Sequence, residues 1–176
     1  MAGAVLVEPL PAASVLVLRE PFEVLLLRRS EKSSFVPSAW VFPGGTADPG
    51  EDLRATAVRE TFEEAGLTLA PESLVWTSRW ITPVGLPKRF DTYFYLARVD
   101  RGAEVTIDER EIVESRWMAP AEALERRREL SLVFPTIKNL EALAGFTSID
   151  ELLESRRGAT IEPVLPVLVN GKPTLP

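Results

Sequence analysis

GTADPGEDLRATAVRETFEEAGL, residues 45–67, is the stretch from which the rest of the chain is best read. Pro49-Gly50 marks a turn, Asp52 is placed to cap a helix, and Gly66 supplies a left-handed stop, so the spacing predicts a helix over 53–65. Glu60, Glu63 and Glu64 stand at i, i+3 and i+4 and share one face of that helix. Ala55, Val58, Phe62 and Ala65 fall on the opposite face, an apolar stripe suited to burial.

Three carboxylates about 5 to 6 Å apart repel by roughly 3 kcal/mol per pair at an effective dielectric near 20. A divalent cation removes that conflict, and an all-oxygen donor set suits Mg²⁺ or Mn²⁺, which take further oxygens from substrate phosphates. An isolated acidic cluster is ordinarily a solvated helix face. Here the turn, the cap and the glycine stop make it part of a defined loop, helix and loop.

Composition narrows the chemistry. At 176 residues and 45% hydrophobic content, the expectation is one globular domain, 1–176, with a sizeable core. A net charge of −6 argues against nucleic acid or anionic membrane as partner, since both call for a basic surface. Residues 51–66 hold five acids against two bases, so much of the negative charge is local to the carboxylate helix. Cysteine and histidine are both absent, which removes thiolate nucleophiles, zinc-thiolate sites and histidine triads. Carboxylate, Lys and Tyr remain as acid–base groups. With no signal-peptide core and no 18-residue apolar run, a cytoplasmic location is expected.

Along the chain, Val- and Leu-rich runs at 3–8, 14–19 and 23–28, broken by Pro9, Pro11 and Glu20-Pro21-Phe22, predict three strands of a meander. Arg28 and Arg29 close the third. A polar loop over 30–38 leads into a short strand at 40–42, after which Pro43, Gly44 and Gly45 expose carbonyls suited to a hard metal. Further strands are predicted over 73–82 and 91–99. The loop between them, PVGLPKRF, carries the basic pair Lys88 and Arg89, and Phe90, which reads either as a stacking surface for a base or as the anchor of a solvated turn. A polar loop and a strand over 104–118 place Glu109 and Glu111 as loop carboxylates, either of them an ordinary surface charge or a group reaching the carboxylate helix. Helices are predicted from Pro120 to about Arg128, over 135–144, and over 149–155 behind a Ser148–Glu151 capping box. Asn170-Gly171 is a hairpin signal. Mixed strands with helices on both sides in sequence suggest an α/β/α sandwich.

Gly45, Glu51, Arg59, Glu60, Glu63, Glu64 and Gly66 together resemble the Nudix box. Seven such positions coincide by chance at about 10⁻⁹ to 10⁻⁸ per register, given residue usages of roughly 5 to 7%. Thr61 stands in a slot that is usually aliphatic in that family. The flanking LLLRRS (25–30), FVPSAWVFPGG (35–45), TPVGLPKRFDTYFYLA (82–97) and LPVLVNGKPTLP (165–176) resemble the CoA-diphosphatase branch, peroxisomal and bacterial. Of the LLTxRS signature that precedes the box in CoA-cleaving members, Leu25, Leu26, Arg29 and Ser30 are present and Leu27 replaces Thr. The chain ends in Thr-Leu-Pro rather than a peroxisomal tripeptide.

The resemblance implies the Nudix α/β/α sandwich with a mixed sheet. It also implies two or more Mg²⁺ (or Mn²⁺) held by Glu60, Glu63 and Glu64 with a carbonyl near Gly44 or Gly45, and a Glu51–Arg59 pair that fixes the loop against the helix. The implied chemistry is in-line attack of water on a pyrophosphate, with Glu60 or Glu111 taking the proton and no covalent intermediate. The expected partner is a small nucleotide-diphosphate substrate. CoA or acyl-CoA is favoured, and ADP-ribose, dinucleotide, NDP-sugar or NTP hydrolysis is the alternative. A Nudix-like ligand sensor without catalysis is a third reading, and the oligomeric state is open. Arg28, Arg29, Lys88 and Arg89 are the expected phosphate contacts, with Phe90 beside them.

Overall fold

The structure, a computed structural model, describes residues 6–176. Its elements run β1 (Leu10–Arg19), β2 (Glu23–Arg29), β3 (Trp40–Val41), β4 (Gly44–Thr46), α1 (Leu53–Ala65), β5 (Val75–Ile81), β6 (Phe90–Arg98), β7 (Ile112–Met118), α2 (Pro120–Glu125), α3 (Phe134–Ala144), α4 (Ile149–Arg156), β8 (Pro163–Val164), β9 (Val167–Val169) and β10 (Lys172–Thr174). β1 to β8 form one mixed sheet, and β9 and β10 form a separate pair.

β1 and β2 are near-continuous apolar runs because both their faces are covered. Leu16 and Leu18 of β1, Val24 and Leu26 of β2, and Phe94 and Leu96 of β6 point to one side. They pack there with Ala123 of α2, Leu140 and Leu143 of α3, and Ile149, Leu152 and Leu153 of α4. Val15, Val17, Leu25, Leu27, Tyr95 and Ala97 point to the other side, against Leu53, Ala57, Val58 and Ala65 of α1. This is the α/β/α sandwich expected from the pattern. Leu25, Leu26 and Leu27 are all fully buried, each contributing about 1.5 to 3 kcal/mol of transfer free energy.

The first strands are not a meander. Residues 3–5 of the run expected at 3–8 lie outside the described residues, and residues 6–9 are not strand. β1 begins at Leu10 and includes Pro11, tolerated near a strand start. Its long partner is β6, in parallel register from Leu10 with Phe90 to Leu18 with Arg98. On its other edge β1 forks: Leu18 and Arg19 pair with β2, whereas Ala12, Ala13 and Ser14 pair with β4. The fork brings Gly44 and Gly45 against the sheet centre. A Cβ on Gly44 would stand 2.5 Å from the Ala13 carbonyl, which explains glycine there.

The buried face of α1 also differs from the expected stripe. Thr56, Ala57, Thr61, Glu64 and Ala65 are buried, whereas Ala55 is exposed and Phe62 is 57% exposed. The helix turns Thr61 inward because its hydroxyl donates to the Ala57 carbonyl at 2.8 Å, so the polar group is satisfied within the helix. Asp52 caps the start and Gly66, at φ +68°, ends it. Any Cβ on Gly66 would also press on Thr106 at 3.0 Å.

Candidate active site

α1 does not present its three glutamates equally. Glu64 is buried, 4% exposed, and its carboxylate accepts from the Gly44 N–H at 2.8 Å. Burial pushes its pKa up to about 8, with the neighbouring charges of Glu60 and Glu111 adding to the shift and Arg29 and the Gly44 hydrogen bond opposing it. Glu60 is partly buried and its pKa is raised, again chiefly by desolvation. Glu63 is exposed. The three glutamates share one side of α1 as expected, but their exposure is graded, and Glu64 reaches Gly44 in the sheet fork.

Arg59 is the hub of the surrounding loop. Its Nε and Nη2 donate to Glu51 at 2.9 Å each, Nη1 donates to Glu60 at 2.9 Å and reaches Glu63 at 3.3 Å, and Nη2 also reaches the Thr46 carbonyl at 3.2 Å. Glu51 in turn accepts from the buried Thr56 hydroxyl at 2.6 Å and from the Asp48 N–H at 3.2 Å. These donors, Arg59 first, hold the Glu51 pKa down at about 2. The carboxylate of Glu51 is thus fully engaged in tying the loop at 47–52 to α1. Thr56 was not among the residues singled out from the sequence, although its place one turn into the helix, facing Glu51, was a readable signal.

The donor set suits a hard divalent cation. A buried carboxylate with one hydrogen bond, beside Glu60 and Glu111, is a group whose charged form lacks compensation, and all the available atoms are oxygens. Glu60 and Glu63 lie on Arg59, so among the described residues no three carboxylates already stand in ligating positions. Of the nearby carbonyls, that of Pro43 is committed to the Val15 N–H at 2.9 Å and the Ser14 hydroxyl at 3.0 Å. Gly45 lies against Glu60: a Cβ there would stand 2.6 Å from the Glu60 carboxyl carbon.

A cavity of about 740 Å³ shares Gly44, Gly45 and Glu111 with this cluster. It lies on the α3 side of the sheet, where Trp80, Phe94 and Phe134 line it. Glu111 is held by a loop in which the Asp108 carboxylate accepts from the Arg110 and Ile112 N–H groups at 3.0 and 3.2 Å, while the Glu111 carbonyl accepts from Ser30 at 2.8 Å. Glu109, at φ +63°, does not line the cavity.

The expected basic contacts separate. Arg29 and Lys88 line the cavity together with Phe90, which packs edge-on against Phe35 at 5.3 Å. Arg89 does not: it is 8% exposed, and its guanidinium donates to the carbonyls of Thr82 at 3.0 Å and Val7 at 2.8 Å. Its charge is thereby committed to holding the segment before β1. Arg28 is paired with Glu114 across β2 and β7 at 3.1 Å and is likewise absent from the cavity wall. Strand alternation separates neighbours such as Arg28 and Arg29, and that alternation was available from the sequence.

Residues 8–137 match the model of the NUDIX domain. The acyl-coenzyme A diphosphatase NUDT19 of Xenopus laevis is 27% identical over 235 residues, an alignment covering 74% of this chain and 62% of that protein. An RNA pyrophosphohydrolase of Haemophilus ducreyi is 31% identical over 107 residues, covering 61% of this chain and 47% of that one. The crystal structure of a NUDIX hydrolase from Alicyclobacillus acidocaldarius superposes with a TM-score of 0.74 at 26% identity, covering 84% of this chain and 96% of that one. The chain spans from 52% to 63% of the length of the first curated relatives it matches. With the family model covering well over half of its residues and the carboxylate helix inside that span, the chain belongs to the NUDIX domain family.

Proposed function

We propose that the chain is a divalent-cation-dependent diphosphatase that hydrolyses the pyrophosphate of nucleoside-diphosphate-linked substrates, with CoA or acyl-CoA favoured. The observation that carries this reading is the buried Glu64 of the box helix, set in a carboxylate cluster that adjoins a 740 Å³ cavity with basic and aromatic walls. A cavity of that size accommodates a nucleotide-sized ligand. The likeness to NUDT19 and the flanking stretches shared with CoA-cleaving proteins favour CoA among the candidates.

Glu60, Glu63 and Glu64 would hold Mg²⁺ or Mn²⁺, with Gly45 beside them. When bound, such an ion supplies charge to the pyrophosphate oxygens and lowers the pKa of water. Glu51 and Arg59 keep the loop and helix in register, and Glu60 and Glu63, which pair with Arg59 here, would have to leave it to hold a cation. Arg29 and Lys88 contact substrate phosphate from the cavity wall, and Phe90 offers a ring face or edge to the base. Glu60 or Glu111 accepts the proton of the attacking water, and two phosphate-ended fragments leave.

Glu111→Gln is expected to lower kcat at least tenfold more than Glu109→Gln, because only Glu111 faces the carboxylate cluster and the cavity. Steady-state kinetics at saturating Mg²⁺ measure this, and equal effects would leave Glu60 as the base.

The substrate is tested by comparing CoA, 3′-dephospho-CoA and ADP-ribose. The extra 3′-phosphate of CoA needs local positive charge in a chain of net charge −6, and a charge-assisted contact is worth about 1.5 to 3 kcal/mol. CoA is expected to have the highest kcat/KM, and Lys88→Ala to raise its KM about tenfold. Comparable kcat/KM for all three would reject CoA and favour a broad nucleotide-diphosphate hydrolase.

A further inference from the structure

We infer that the C-terminal hairpin β9–β10 is the specificity wall of the cavity, and that Leu168 and Pro173 contact an uncharged aliphatic arm carried by the substrate. This rests on the diphosphatase reading and concerns the half of the substrate remote from the pyrophosphate. Pro166, Leu168, Gly171 and Pro173 all line the cavity, so the tail contributes carbon surface and no charged side chain. Trp80, Phe94 and Phe134 line the same cavity from the main sheet and α3. Such a wall takes hydrocarbon and discriminates against phosphate or sugar, whose polar groups would be left without partners.

The hairpin is built to hold this position. Asn170 and Gly171 both have positive φ, +52° and +75°, as a two-residue turn between paired Val169 and Lys172 requires. β8 ties it to the sheet edge by pairing Val164 with Trp80 of β5. Val167 and Val169 are exposed and Leu168 between them is turned inward, the alternation of a strand with one covered face. A Cβ on Gly85 would meet Leu168 Cδ1 at 3.8 Å, which sets Leu168 against the loop that carries Leu86, Lys88 and Phe90 to the cavity. The hairpin also lies beyond residues 8–137, the span matched by the family model, whereas Glu51, Arg59, Glu60, Glu63, Glu64 and Glu111 all lie within it. Leu168 and Pro173 are thus contributed by a part of the chain separate from the one that carries the carboxylates.

The test compares lauroyl-CoA, which has an aliphatic arm, with ADP-ribose, which has none. In Leu168→Asp, and in a chain ending at Val164, the ratio of kcat/KM for lauroyl-CoA over ADP-ribose is expected to fall about tenfold or more, through KM rather than kcat. Leu168→Met, which keeps the apolar surface, is expected to retain the ratio within about twofold. Calorimetric binding of lauroyl-CoA without divalent cation is expected to weaken by a similar factor in Leu168→Asp. Should the shortened chain lose its cooperative melting transition, the two point variants decide. An unchanged ratio in Leu168→Asp, or unchanged binding, overturns the inference. If the unaltered protein cleaves neither compound, the diphosphatase reading fails, and the calorimetric result alone still judges the hairpin.

Discussion

Glu64→Gln is expected to reduce turnover about a thousandfold or more while making the metal-free protein more stable at pH 8. The loss of activity follows from removing the one box carboxylate that is buried in the sheet fork, where a cation would draw most on its charge. The gain in stability follows from the cost of ionising it there. Folded Glu64 keeps its proton up to about pH 8, whereas its ordinary value is 4.5. Its contribution to stability is therefore complete below about pH 4.5 and is lost as the pH rises through about 8. Glu51 acts in the opposite sense: held at about 2, it contributes above its ordinary value of 4.5 and loses that contribution only as the pH falls toward 2. Between pH 4.5 and about 8, where Glu51 no longer titrates, melting temperatures in EDTA should decline with pH in the unaltered protein and change less in Glu64→Gln. Turnover within threefold of the unaltered protein at saturating Mg²⁺, or an unchanged pH slope, would contradict the role given to Glu64.

Gly45→Ala is expected to cost about a hundredfold in activity with little change in melting temperature. The added Cβ would lie 2.6 Å from the Cδ and Oε1 of Glu60 and 2.9 Å from its Oε2. The obstructing atoms are the end of a flexible side chain, so the carboxylate can swing away cheaply and the fold survives. The site does not survive as well, because displacement of a reacting group by about 1 Å is enough to cost roughly 10²-fold. Gly44→Ala should behave in the reverse order. Its Cβ would meet the Ala13 carbonyl at 2.5 Å and the Ser14 Cα at 2.8 Å, both backbone of the central strand, so stability should fall first. Thermal melts and kinetics on the two variants separate the cases. Loss of folding in Gly45→Ala, or activity retained within threefold, would contradict the close packing of Gly45 on Glu60.

The carboxylate helix was legible almost to the residue, because a cap, a left-handed stop and an i, i+3, i+4 pattern are local features that the backbone must obey. The layer order followed from apolar runs alternating with helices. What the local pattern could not carry was long-range. The parallel pairing of β1 with β6 joins segments about 80 residues apart, and the pairing of β1 with both β2 and β4 replaces the expected meander with a forked sheet; on α1 Glu64 is buried, hydrogen-bonded to Gly44 of that fork, whereas Phe62 is exposed. Lys88 and Arg89 looked equivalent in sequence. The carbonyls of Thr82 and of Val7, the latter 82 residues away along the chain, commit Arg89 to structure, while Lys88 lines the cavity. The hairpin turn at Asn170-Gly171 was readable, whereas its place on the cavity wall depends on β8 docking beside Trp80.

Cation-dependent hydrolysis of CoA, followed by mass spectrometry in ¹⁸O-water, tests whether the carboxylate helix drives attack of water on the pyrophosphate. Two phosphate-ended products with one ¹⁸O between them are expected, formed with Mg²⁺ or Mn²⁺, suppressed by EDTA and lost in Glu64→Gln. Cleavage that persists in EDTA at an unchanged rate, or no cleavage of CoA, ADP-ribose or any other pyrophosphate-linked nucleotide at saturating Mg²⁺ and Mn²⁺, would contradict it.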